Sequence, residues 1–215
     1  DIPGNGRLHQ IASPTTIAEM TEALREQINT NQPLRLIALS MGGMIASDWM
    51  IRYPHEVEAA VLINTSARPF SPFYHRMRWT IYPQIIKMIV HSAQQRESDI
   101  LSLTSNRHSH DSKLLECWKQ WQRQNPVSIV SARNQLLAAA KFSITAKPQQ
   151  PVLIINSRAD RLVDYRCSLK LAQNWGSDYS QHETAGHDLP LDEPEWLAQV
   201  IGQWFDSACM FKTPS

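Results

Sequence analysis

Apolar positions in this chain form two kinds of pattern. Short, largely apolar runs, Leu34–Leu39 and Val57–Ile63, and a third over residues 151–156, predict buried strands. A further short strand is predicted over 178–183. Between them apolar residues recur at helical spacing. Ile17, Met20, Ala23, Leu24 and Ile28 predict a helix over 15–29, with Ser13 or Thr15 as its cap. Further helices are predicted over 41–53, closed by Pro54, over 164–174, and over 194–209, where Trp196, Leu197, Val200, Ile201, Trp204 and Phe205 share one face.

The alternation of strand and helix stops after the second strand. Residues 70–147 carry helical patterns alone, clearest over 83–91, 113–123 and 128–142. Strand, helix, strand, helical insert, strand, helix, strand, helix predicts an α/β fold: a doubly wound, mostly parallel sheet with an α-helical insertion. Ligands of such sheets bind beyond the carboxyl ends of the strands. The insert leaves from one such end and returns before the next strand, so it is expected to lie over the site as a lid. The expected division is a core of 1–69 and 148–215 with a cap of 70–147.

Composition narrows the field of partners. The chain has 215 residues, enough for one domain with a sizeable core, and a formal charge of +1 gives no electrostatic case for nucleic acid. No apolar run approaches the roughly 20 residues of a membrane helix. Cys117, Cys167 and Cys209 have neither metal nor redox spacing, which points to reduced thiols and a cytoplasmic setting.

The candidate chemistry sits where the first strand ends. Ala38-Leu39-Ser40-Met41-Gly42-Gly43 places a serine between small residues at a strand-to-helix turn, the pattern of a nucleophile elbow. The turn demands little bulk two residues either side, which Ala38 and Gly42 supply. A serine hydroxyl needs a base, and the base needs a carboxylate to hold its tautomer. Asp160 follows the third strand directly. Asp164 is its competitor but reads as a helix cap. His187 lies on the loop after the last strand, behind Gly186, which suits a sharp bend; its rival His182 falls inside that strand.

These residues resemble the α/β-hydrolase fold family, in its cap-bearing, esterase-like branch, nearly end to end. Ser40 with its glycines is similar to the family's elbow, Asp160 with Arg161-Leu162-Val163 to its acid, and Gly186-His187 with Asp192-Glu193-Pro194-Glu195 to its histidine segment. Asp1-Ile2-Pro3-Gly4-Asn5-Gly6 resembles the Asp-x-Pro-Gly-x-Gly loop after the family's fourth strand. The resemblance therefore implies an N-terminally truncated chain whose first strands, and one oxyanion donor carried there, are missing. It leaves Leu34–Leu39 with an unpaired apolar edge.

The implied function is a serine hydrolase that cleaves a small-molecule carboxylic ester or thioester. Ser40 is the nucleophile, His187 the base, Asp160 its orienting acid and the Met41 N–H an oxyanion donor; no cofactor or metal is called for. Relatives with the same triad cleave amides or carbon–carbon bonds or act as lyases, and a catalytically silent binding module is the alternative from another class. Phe70, Phe73, Tyr74, Trp79 and Tyr82 open the insert, either as packing or as an apolar wall for the substrate, with Phe70, Phe73 and Trp79 as the candidate contacts. Residues 108–111, His-Ser-His-Asp, lack further metal ligands and read as a solvated loop. Arg68, Arg76 and Arg78 read as surface charges, with a substrate carboxylate as their functional alternative.

Overall fold

Successive residues of the strands face two separate cores, as the two-residue period of a strand requires. The structure, a computed structural model, describes residues 1–30 and 32–210, with side chains through 207; Asn31 and the Cys209 thiol lie outside the described residues. Four strands, β1 (Leu34–Leu39), β2 (Val57–Ile63), β3 (Val152–Ser157) and β4 (Asp178–His182), form one parallel sheet in the order β1-β2-β3-β4. Ala60, Leu62, Val152 and Ile154 pack on α1 (Ile17–Arg25), α2 (Met41–Arg52) and α8 (Arg166–Trp175) through Met20, Met44, Ile45, Trp49, Leu171 and Trp175. Ala59, Val61, Ile63, Leu153 and Ile155 pack on α9 (Leu189–Asp192) and α10 (Pro194–Met210) through Leu189, Leu197, Ile201 and Trp204. Strands buried on both faces explain the continuous apolar runs in the sequence.

Register carries the strand ends to one level. Leu39 pairs with Ile63 and Ile63 with Ile155, so the residues that follow, Ser40, Asn64 and Asn156, emerge side by side at the carboxyl edge. The Ser40 N–H donates to Ile63 O at 2.8 Å and the Asn64 N–H to Ile155 O at 2.9 Å, continuing the ladder past the last paired residues.

The connection from β2 to β3 has helices as its main regular elements. It holds α3 (Phe73–Arg76), α4 (Tyr82–Val90), α5 (Ala93–Thr104), α6 (Ser112–Gln124) and α7 (Ile129–Lys141). Its two ends meet: Arg68 and Ser143 form an isolated parallel bridge, and the Ile144 N–H donates to Arg68 O at 2.8 Å. The helices on the sheet come close to their predicted bounds, with one clear difference. The predicted 15–29 helix is only Ile17–Arg25, and its cap is Thr16, whose Oγ1 accepts from the Glu19 N–H at 3.2 Å. Ser13 is committed elsewhere, donating to Pro3 O at 2.6 Å.

At one edge of the sheet β1 has β2 as its neighbour among the described residues. On this strand Ile37 is 59% exposed, because α9 and α10 cover β2 and β3 rather than β1. No helix among the described residues is long and apolar enough to cross a membrane.

Candidate active site

Ser40 follows β1 directly and is the residue before α2, with φ 53° and ψ −115°. A serine pays for a positive φ in steric strain, and the surrounding bonds hold it there. Ser40 O accepts from the Gly43 N–H at 3.0 Å and from Thr65 Oγ1 at 2.8 Å. The tight approach at this turn falls on Gly43 rather than Gly42. A Cβ on Gly43 would lie 2.7 Å from Thr65, whereas one on Gly42 would be 3.7 Å from Ala38 Cβ, an ordinary contact. Among the described residues Ser40 Oγ has no hydrogen-bond partner. Met41 is the first residue of α2, so its N–H has no acceptor within the helix and faces the positive end of the helix dipole.

Asp160 stands on the turn after β3 and is 2% exposed. Its Oδ1 accepts from the N–H groups of Leu162 at 2.7 Å and Val163 at 2.9 Å. Its Oδ2 lies 2.7 Å from His187 Nδ1. A carboxylate only accepts, so this contact places the imidazole proton on Nδ1 and leaves Nε2 as the basic nitrogen. His187 is itself 5% exposed.

The rival residues are engaged elsewhere. The Asp164 carboxylate takes Arg166 Nε at 2.9 Å and Nη2 at 2.8 Å. Burial pushes its pKa up, but the Arg166 contacts outweigh this and hold it below the usual carboxylate range. His182 accepts from the Ala185 N–H on Nδ1 at 3.1 Å, and its ring packs edge-on against Trp196. Burial raises the Cys167 thiol to about 11, which leaves little thiolate at neutral pH.

Three residues to which the sequence reading gave no role of their own hold the histidine segment. Asn64, with φ 47°, accepts the Ser157 N–H on Oδ1 at 2.7 Å and donates Nδ2 to His187 O at 2.7 Å. It thus links the end of β2 to the end of β3 and to the histidine backbone. Asp192, 1% exposed, accepts from Ser105 Oγ at 2.5 Å and from the N–H groups of Gly186 at 2.6 Å and Asn106 at 2.9 Å. Asn106 Nδ2 donates to Ala159 O at 3.2 Å and Thr184 O at 2.9 Å. The helical insertion is therefore bonded to both the acid turn and the histidine loop. In the sequence Asn64 shows as a polar residue directly after a largely apolar strand, and Asp192 as part of the stretch that resembles the family's histidine segment.

Gly186 matters for space rather than for a positive φ. A Cβ there would lie 2.5 Å from Thr104 O. Of the aromatic candidates, Phe70 packs against the core, while Phe73 and Trp79 are 71% and 69% exposed. In the 108–111 segment Asp111 caps α6, accepting from Lys113 N–H and Leu114 N–H, both at 3.0 Å. No group of three or more metal-ligating side chains occurs among the described residues.

Comparison with known proteins agrees with this fold. A stretch of 88 residues is 34% identical to homoserine O-acetyltransferase of Pelobacter propionicus, covering 37% of this chain and 24% of that protein. The chain thus spans about a quarter of the length of that curated relative. A thermophilic esterase from Thermogutta terrifontis, solved with malate bound, superposes with a TM-score of 0.69 at 19% identity, over 97% of this chain and 78% of the other. The enol-lactonase of Burkholderia xenovorans LB400 does so with 0.74 at 18% identity, over 96% and 79%. At such identities these two show the fold, a sheet of the α/β-hydrolase kind. A family model described as serine aminopeptidase, S33, matches residues 15–194. With that match over most of its length, the chain belongs to the serine aminopeptidase S33 family of α/β-hydrolases.

Proposed function

We propose that this chain carries the machinery of a serine hydrolase that cleaves a small-molecule carboxylic ester or thioester. The observation that carries this reading is the buried His187–Asp160 pair at the same sheet edge as a serine held at φ 53°. Ser40 Oγ attacks the acyl carbonyl while His187 Nε2 takes its proton. Asp160 holds the Nδ1–H tautomer and stabilises the imidazolium. The Met41 N–H donates to the oxyanion. His187 then returns the proton to the leaving alcohol or thiol, and water activated by the same nitrogen releases the acid. Residues 70–147 act as a cap over this edge, with Phe73 and Trp79 offering apolar surface to the acyl or alcohol part. The aminopeptidase description of the family and the acetyltransferase match favour amide cleavage or acyl transfer to an alcohol as the second reading. Both run through the same acyl-enzyme.

The test is labelling with a fluorophosphonate. Covalent labelling of the protein, absent from Ser40→Ala, supports the reading. A folded protein that takes no label, or a Ser40→Ala variant that still labels, overturns it.

A further inference from the structure

A second polar site lies where the insertion meets the acid turn. A surface cavity of about 230 Å³ is lined by Arg78, Thr80, Gln84, Ser102 and Arg161, with Ile81 on its apolar side. Arg161 directly follows Asp160, and the Arg78 backbone N–H donates to Leu162 O at 2.9 Å, so the backbones of both arginines are tied to the turn that carries Asp160. Arg161 Nη2 donates to Ser102 O at 2.6 Å and Ser105 O at 2.8 Å, at the end of α5. That anchors the guanidinium and leaves Nε and Nη1 for another acceptor. Arg78 Nε is buried without a hydrogen-bond partner.

No carboxylate lines the cavity. Asp164, outside the lining, pairs with Arg78 Nη2 at 3.8 Å while its two oxygens also hold Arg166, so it offsets Arg78 in part. Asp160 faces His187 and two backbone N–H groups. Asp99 is paired with His91, and Glu193 with Arg107. The side chains of Thr80, Gln84 and Ser102 make no hydrogen bond to protein among the described residues. Two guanidiniums that keep donors without a partner, three uncommitted polar side chains and no acid in the lining form a site for negative charge.

We propose that this cavity binds an oxyanion, a carboxylate or phosphate group, clasped between Arg78 of the insertion and Arg161 of the acid turn. The group belongs either to a free anion or to the acidic end of the substrate. The second source alone rests on the hydrolase reading; the site itself does not.

Calorimetric titration of inorganic phosphate and of malonate into the full chain, at constant ionic strength, tests the site. Saturable one-to-one binding is expected, weakened about tenfold or more in Arg78→Gln, since charge-assisted hydrogen bonds are at stake. Ser102→Ala, which leaves the Arg161 anchor on the backbone intact, weakens it by a smaller factor. Absence of saturable binding, or equal affinity in wild type and both variants, overturns the proposal. Repeating the titration on Ser40→Ala separates it from the hydrolase reading, because anion binding persists there whether or not Ser40 reacts. Turnover of a half-ester beside its neutral diester assigns the source. A KM raised in Arg78→Gln for the half-ester alone places the substrate's acid group in the site. A phosphate effect equal on both esters places a free anion there.

Discussion

His187 Nδ1 and Asp160 Oδ2 are 2.7 Å apart in a contact almost closed to solvent, and the other Asp160 oxygen is fixed by two backbone N–H groups. The carboxylate therefore has no freedom to follow the imidazole. Asp160→Asn keeps the shape but offers an N–H where an acceptor is needed, favouring the wrong tautomer. Its kcat is expected to fall by about 10⁴ with the fold intact. Steady-state turnover beside a circular dichroism melt checks this; a variant that retains full kcat removes Asp160 from the mechanism.

The positive φ of Ser40 implies a trade between stability and chemistry. Glycine adopts that conformation without strain, so Ser40→Gly is expected to be inactive yet more stable by about 1 kcal/mol. Urea denaturation reads this directly. A variant less stable than wild type shows that the bonds to Ile63, Gly43 and Thr65 leave no strain to relieve.

Asp192 links stability to pH. Burial pushes its carboxyl up, but hydrogen bonds from Ser105 and from the N–H groups of Gly186, Asn106 and Arg107 prevail and hold it below the usual carboxylate range. The unfolded chain then takes the proton first as pH falls. Asp192 stabilises the fold above about pH 4, and that contribution is lost as pH drops through the lower folded value. Asp192→Asn is expected to be less stable than wild type at neutral pH by about 1–3 kcal/mol, with the gap closing in acid. Urea midpoints between pH 6 and pH 3 test this, and parallel curves for the two proteins would refute it.

Ile37 is the apolar liability of β1. An edge strand with an exposed β-branched residue is a template for pairing between chains. Ile37→Lys is expected to raise the soluble fraction and slow light-scattering growth on mild heating. Unchanged aggregation moves the cause to another surface.

The strands were the most legible elements, since residues 59–63 and 152–155 are buried on both faces and carry apolar side chains throughout. Ser40, Asp160 and His187 could be singled out in the sequence because each lies within five residues of a strand's end, where topology confines the search. Asn64, Asn106 and Asp192 were not legible as partners. They join segments 53 to 123 positions apart, and no local spacing encodes such a meeting. The end of α1 was misjudged because Ile28 extends the helical periodicity past Arg25, although it is 42% exposed and buries too little to hold another turn.

The clasp made by Asp192 and Asn106 also bears on how this architecture diversifies. Segment Ser105–Arg107 belongs to the helical insertion, yet its bonds end on the acid turn and the histidine loop. A foreign helical segment transplanted between β2 and β3 would arrive without those three residues and leave Asp192 buried with unmet acceptors. Recombination at this junction, in nature or by design, must carry the clasp along with the insertion or rebuild it.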